Sequence, residues 1–178
     1  MKYLIFSDIH GSMYYWGKAV KIIEKENPDK IILLGDLYYH GPRNPLPRGY
    51  KPKAVAESMN GYKDKIIAIR GNCDAEVDQM ISSFKIKESH KMKINNKLVM
   101  FTHGHKYNKD NLPSSVDVLI YGHLHTGFIT RVGEVIAINS GSIALPKNNT
   151  KHSYLSMSDN IINLIDLCSG KIIDSIEI

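Results

Sequence analysis

Lys2-Tyr3-Leu4-Ile5-Phe6-Ser7-Asp8-Ile9-His10-Gly11-Ser12, answered further on by Lys30-Ile31-Ile32-Leu33-Leu34-Gly35-Asp36, decides how this chain is read. Each stretch opens on a short apolar run rich in β-formers and breaks on polar residues that include an aspartate. Runs of that length bounded by turn residues read as buried strands. Between them, Met13 to Asn27 carries Ala19, Val20, Ile22 and Ile23 at helical spacing, and Pro28 stops the pattern. Strand, helix, strand is a βαβ unit, whose crossover is nearly always right-handed.

The same grammar continues outward. Leu37 to Pro52 holds four prolines and two glycines, which excludes regular structure. A long irregular loop directly after a candidate ligand is a candidate substrate lip, and this one brings Arg43, Arg48 and His40. Lys53 to Asn60 reads as a short helix, Lys65 to Arg70 as a third strand ending at Gly71-Asn72-Cys73-Asp74, and Ala75 to Ser82 as another helix. The character then changes. Lys91–Ile94 and Lys97–Phe101 flank an Asn95-Asn96 hairpin turn, and the second arm runs into Thr102-His103-Gly104-His105. A polar loop with a short helical turn is expected next. Asp117–Tyr121 ends at Gly122-His123-Leu124-His125, a further hairpin turns at Gly133, and the tail from Ser153 reads as strands. The order implies one layered α/β domain over residues 1–178, with two packed sheets, helices outside, and each half of the chain supplying one sheet to a shared core.

Composition narrows the function classes. The chain has 178 residues, 43% of them hydrophobic and 23% charged, with a formal net charge of +5. No apolar run approaches the roughly 18 residues of a membrane span. The N-terminal apolar stretch is too short for a signal-peptide core, so the expected location is cytoplasmic and no membrane partner is expected. Cys73 and Cys168 lie far apart without a CxxC spacing, which argues against a disulfide framework or a structural zinc site. No RNP, helix-turn-helix or zinc-finger pattern accompanies the positive charge, so nucleic acid is not the expected partner. A positive surface still draws an anionic substrate.

Five polar clusters remain, each following a strand: Asp8-x-His10, Gly35-Asp36, Gly71-Asn72, His103-Gly104-His105 and Gly122-His123-Leu124-His125. In open α/β sheets ligands gather beyond the carboxyl ends of strands. Seven residues there offer metal-ligand atoms: Asp8, His10, Asp36, Asn72, His103, His123 and His125. The i, i+2 spacing of Asp8 with His10, and of His123 with His125, puts both members of a pair on one side of an extended chain. Asp carboxylate can bridge two cations. Mixed nitrogen and oxygen ligation suits manganese, iron, zinc or nickel better than calcium or magnesium. Any one of these residues alone reads as a turn former or a solvated side chain; the argument lies in all five clusters at strand ends.

In this order the clusters resemble those of the calcineurin-like metallophosphoesterases, and within them the bacterial YfcE-type phosphodiesterases. The likeness covers nearly the whole chain, including Ser7–Ser12, the His40-Gly41-Pro42-Arg43-Asn44 loop, Arg70–Asp78 and Thr102–His105. It implies an αββα sandwich of two packed mixed sheets flanked by helices, around two divalent metal ions, with manganese the metal the family suggests and zinc, iron or nickel as alternatives. By motif position Asp8, His10 and His125 would hold the first ion, Asn72, His103 and His123 the second, and Asp36 would bridge. The implied activity is hydrolysis of a small phosphodiester by a metal-bridging hydroxide, with Arg43 near the transferred phosphoryl group. Homo-oligomers occur among such proteins.

One departure bears on mechanism. Many superfamily members carry histidine after the Gly-Asn pair, where it protonates the leaving group; here that position is Cys73. A thiol is a weak donor, so Cys73 lines the site rather than serving as a strong acid, which favours esters with good leaving groups. His105 falls outside the matched ligand position, His40 is a possible substrate contact, and His90 and His152 read as surface residues. Tyr14, Tyr15 and Trp16 read as packing or rim residues. The alternatives are a phosphomonoesterase or protein phosphatase, a nuclease, and a non-catalytic metal-binding scaffold like the retromer subunit of this fold.

Overall fold

A computed structural model describes residues 1–178. The expected βαβ unit is present as β1 (Lys2–Phe6), α1 (Met13–Glu26) and β2 (Lys30–Leu33). Helix α1 starts where the Ser12 side chain accepts a hydrogen bond from the Tyr15 N–H, and it ends at Asn27 in the left-handed conformation, the usual chemistry of helix ends. Then come α2 (Pro52–Asn60), β3 (Ile66–Ile69), α3 (Glu76–Ile81) and β4 (Ile86–Lys87). The hairpin β5 (His90–Ile94) and β6 (Lys97–Phe101) precedes β7 (Val118–Tyr121), β8 (Gly127–Val132) and β9 (Val135–Ser140). The tail is β10 (Ser153–Ser158), β11 (Ile161–Asp166) and β12 (Ile172–Glu177).

These strands form two mixed sheets. One has seven strands in the order β12-β11-β10-β1-β2-β3-β4, and the other five in the order β5-β6-β7-β9-β8. The first sheet runs parallel from β1 to β4 and antiparallel from β1 out through the tail. Ile5, Ile32, Leu34 and Leu155 on one side and Val99, Phe101, Ile120 and Ile138 on the other form the core between the sheets. Leu4, Phe6, Ile31 and Leu33 alternate to the opposite face, where Trp16, Ala19 and Ile23 of α1 and Val55, Ala56 and Met59 of α2 cover them. Trp16 is thus a core residue, completed by a hydrogen bond from its indole N–H to the Ser58 hydroxyl.

Three details differ from the sequence expectation. The halves do not contribute one sheet each: β10 returns to pair with β1, so the seven-stranded sheet takes strands from both ends of the chain. The second half is not simply antiparallel, because β6, β7 and β9 pair in parallel. No helical turn forms between His105 and Asp117; an irregular segment lays Leu112 and Val116 against Met100, Leu119 and Tyr121 on the outer face of the smaller sheet. The physical reason is common to the first two. Strand period and apolar content are local, whereas partner choice depends on which buried edge remains open.

Because β10 supplies the partner edge of β1, removing residues 153–178 leaves β1, the first strand of the βαβ unit, as a bare edge and uncovers Ile5. The shortened chain is expected to lose cooperative unfolding in urea, whereas a chain whose halves each built a sheet would keep a transition for the remaining sheet.

Candidate metal centre

All five clusters reach one place, and an unusual backbone brings them there. Asp8, His10, Asp36, His123 and His125 have φ of 54°, 48°, 53°, 64° and 59°. Left-handed backbone is uncommon outside glycine, and each such residue costs on the order of 1–3 kcal/mol. The i, i+2 pairs therefore do not share a side through extended alternation, as the sequence suggested. The chain turns sharply just past each strand, and the turn throws both side chains inward. The turns are held by backbone bonds between neighbouring loops, with the Asp8 N–H on the Gly35 carbonyl at 3.1 Å and the His10 N–H on the Asp36 carbonyl at 2.8 Å.

Two groups of ligand atoms result. The first comprises Asp8, His10, Asp36 and His125, all buried, with one ligand atom from each lying within 4.8 Å of the others. His10 Nε2 stands 3.2 Å from His125 Nε2 and 3.7 Å from both Asp8 Oδ1 and Asp36 Oδ2. In the second, His103 Nε2 lies 3.0 Å from Asn72 Oδ1, 3.3 Å from His123 Nδ1 and 3.4 Å from Asp36 Oδ1. Asp36 divides its two oxygens between the groups.

The atoms behind the ligands fix which nitrogen faces the centre. The Nδ1–H groups of His10, His103 and His125 donate to the carbonyls of Tyr39, Leu34 and Leu145 at 2.8, 2.8 and 2.6 Å. Each Nε2 is thereby presented inward, an arrangement typical of metal-binding histidine. Asp8 Oδ2 accepts from the Ser7 hydroxyl at 2.6 Å and the His123 N–H at 2.9 Å. Its other oxygen, Oδ1, is buried without a hydrogen-bond partner; His125 Nε2 lies 3.1 Å away but out of hydrogen-bonding alignment. A buried carboxylate oxygen with no donor is costly. Two imidazole nitrogens facing each other across 3.2 Å also need something positive between them. The donor set of Asp8, His10, Asp36 and His125 therefore fits a divalent cation.

The protonation pattern agrees. Burial alone would lower the His103 pKa, but the carboxylates of Asp36 and Asp8 overturn that and push it up to about 9. A proton on His103 thus supplies positive charge where a cation would. Burial, with His103 alongside, drives His123 down to about 4. For Asp8, burial is outweighed by the histidines, His125 foremost, and the carboxyl is held well below its usual range. Burial, then the nearby Asp36 carboxylate, pushes the Cys73 thiol up to about 12. It stays neutral.

Several residues that organise the centre were not singled out from sequence. Asp74 is buried and accepts the N–H groups of Asp36 and Gly71 on Oδ2, at 2.8 and 2.7 Å, and of Leu37 on Oδ1, at 2.7 Å. It ties two ligand loops together; its place in Gly71-Asn72-Cys73-Asp74 was the available signal. The Ser142 hydroxyl donates to the Asp8 carbonyl at 2.7 Å. Close approach makes two glycines irreplaceable here. A Cβ at Gly122 would stand 1.8 Å from Ser7 Oγ, and one at Gly71 would stand 2.1 Å from Asp36 Oδ1.

An open cleft of about 710 Å³ lies over the centre, lined by Asp36, Asn72, Cys73, His123 and His125 together with Arg43, Asn44 and Lys147. Arg43 and Cys73 line it beside the candidate ligands, and Lys147 adds a second cation. His40 does not line this cleft. Its ring packs edge-on against Tyr39 and Tyr50, with centroids at 4.8 and 5.3 Å. His105 is exposed, its ring 5.5 Å from that of His103. His152 is not a free surface residue: it is half-buried, stacks on Tyr15 at 4.1 Å and donates to the Ile143 carbonyl. His90 is likewise half-buried, in β5. No helix is long and apolar enough to cross a membrane.

Comparison with known proteins agrees with this geometry. The model of the calcineurin-like phosphoesterase superfamily domain matches residues 1–159. Phosphodiesterase YfcE of Escherichia coli K12 is 39% identical over 181 residues, covering 100% of this chain and 98% of its own. The solved structure of that E. coli phosphoesterase superposes with a TM-score of 0.96 at 36% identity, over 100% of both chains. Vps29 of Chaetomium thermophilum shares the fold, with a TM-score of 0.67 over 99% of this chain and 97% of its own, at 13% identity.

Two outcomes are expected. Asp74→Asn keeps the shape but turns an NH2 group against backbone N–H donors, so it should cost about 1–3 kcal/mol in urea unfolding. In metal-free protein, a His103 pKa raised from 6.5 to about 9 contributes stability that is complete below pH 6.5 and lost as pH climbs through 9. Thermal melts across that window should fall for the natural chain and flatten for His103→Gln.

Proposed function

The chain belongs to the calcineurin-like phosphoesterase superfamily, and from that premise we propose that it is a metal-dependent phosphodiesterase working through a dinuclear centre. The observation that carries the proposal is the division of Asp36, with Oδ2 toward His10 and Oδ1 toward His103, between two groups of ligand atoms. On this reading Asp8, His10 and His125 hold one ion, Asn72, His103 and His123 the other, and Asp36 both. Nitrogen and oxygen donors without thiolate suit manganese, iron, zinc or nickel, and the family likeness puts manganese first. Two such ions would supply an activated water as nucleophile and charge for the phosphoryl oxygens.

The chain's own residues do the rest. The carbonyls of Tyr39, Leu34 and Leu145 keep the imidazoles aligned, so little reorganisation remains when substrate arrives. Arg43 and Lys147 make the cleft attractive to an anionic diester. Cys73 stands beside the ligands as a neutral thiol too weakly acidic to hand a proton to a departing alcohol. The chain therefore suits diesters whose leaving alcohol is itself stable as an anion. E. coli YfcE is named a phosphodiesterase, which supports diesters over monoesters as the substrate class.

The test is hydrolysis of bis-p-nitrophenyl phosphate beside p-nitrophenyl phosphate, by metal-stripped protein with manganese added back. Diester cleavage that depends on manganese is expected, with a drop of about 100-fold or more for Asp36→Asn. Preference for the monoester would instead make the chain a phosphomonoesterase. Two bound ions with no turnover of either would favour a scaffold.

A further inference from the structure

A second cavity of about 620 Å³ opens beside the metal cleft, and Tyr39 lines both. Its wall is aromatic and aliphatic: Tyr38, Tyr39, Tyr50, Pro52, Ala56 and Ile81. That volume is in the range of small-molecule sites. The cavity is built onto the centre. The Tyr39 carbonyl holds His10, and the Tyr50 ring lies against Gly11, where a Cβ would meet it at 2.7 Å. The charged residues at the cavity are Lys53, Glu57 and Asp78, one positive and two negative. Nothing there invites a phosphate, whereas the cleft holds Arg43 and Lys147. The two neighbouring spaces thus divide a substrate by chemistry, the anion to one and a flat apolar group to the other.

We propose that this tyrosine-walled cavity is a substrate subsite that takes one planar aromatic ring carried on the phosphodiester. The proposal rests on the phosphodiesterase reading above and adds a substrate class to it. Three tyrosines around one space favour a flat ring over an alkyl chain, because aromatic pairs add edge and face attraction to area burial. Aryl alcohols and nucleobases share that chemistry. Tyr39 lines both spaces and its carbonyl stands 2.8 Å from His10 Nδ1, so the cavity adjoins the centre. The Tyr38 hydroxyl is already engaged by the Ser82 hydroxyl at 2.8 Å, so this wall presents ring surface rather than a free donor.

The test uses manganese-loaded protein and three monoesters as competitive inhibitors of diester cleavage: 1-naphthyl phosphate, thymidine 5′-phosphate and methyl phosphate. At least one aromatic ester is expected to inhibit roughly tenfold more tightly than methyl phosphate. In Ile81→Trp, which fills the cavity from its exposed lip, that ratio should fall toward one. Crystals of the natural chain soaked with the tighter ester should show its ring among Tyr39, Tyr50 and Ile81. Naphthyl preference alone identifies aryl alcohols, and thymidine preference identifies nucleobases. Equal inhibition by all three esters, or a ring bound elsewhere, overturns the subsite while leaving phosphodiesterase activity standing. Absence of any diester turnover sinks the activity, and the soaked crystals then decide the cavity by themselves.

Discussion

The Asp36 carboxylate sits between two groups of imidazoles, 3.7 Å from His10 through one oxygen and 3.4 Å from His103 through the other. Much of the molecule serves to keep it there. Its backbone N–H is held by Asp74, its Oδ1 accepts the Cys73 N–H at 2.8 Å, and Gly71 has no side chain so that the next loop can pass against it. The parallel run β1-β2-β3 sets the loops carrying Asp8, Asp36 and Asn72 side by side. The second sheet brings His103 from β6 and His123 with His125 from β7. Two layers are needed because no single sheet edge could surround one carboxylate with imidazoles on two sides.

That arrangement is expensive. Five non-glycine residues in left-handed conformation, a buried carboxylate oxygen without a donor, and imidazole nitrogens face to face are each unfavourable alone. The compensation is spread through the packed sheets beneath, where Ile5, Ile32, Phe101, Val118, Ile120 and Ile138 are fully buried. Rigid strands carry strained turns at their ends, and the strain aims the ligands.

Much of this was legible from the sequence, for identifiable reasons. Strand runs such as Lys30–Leu33 and Val118–Tyr121, and the amphipathic α1, are local patterns, and local patterns survive folding. The seven candidate ligand residues stood out because each follows such a run. The pairing of β10 with β1 was not, because nothing in Ser153–Ser158 distinguishes one open edge from another. Nor was the left-handed turn at Asp8 and His10, which an alternating extended chain would mimic in side-chain direction. The aromatic cavity was invisible because Tyr39, Tyr50, Ala56 and Ile81 come from a loop and two helices with no shared spacing.

A shared fold does not by itself require such a centre, and the likeness to Vps29 at 13% identity carries fold and nothing more. A protein that worked only through its outer surfaces would gain nothing from the present interior. Glycine at the left-handed positions would relieve the strain and Ser, Ala or Leu would remove the buried charge, and the sheets would pack as well. This chain instead keeps carboxylates, an amide and four imidazoles there, and adds Ser7, Ser142 and Asp74 to hold them. Arg43 and Lys147 then line an open cleft over the same atoms, leaving room for an anion where the strain is concentrated. Strain stored at one point, ligands aligned from behind, and positive charge facing solvent above them are together the layout of a site for chemistry on an anion.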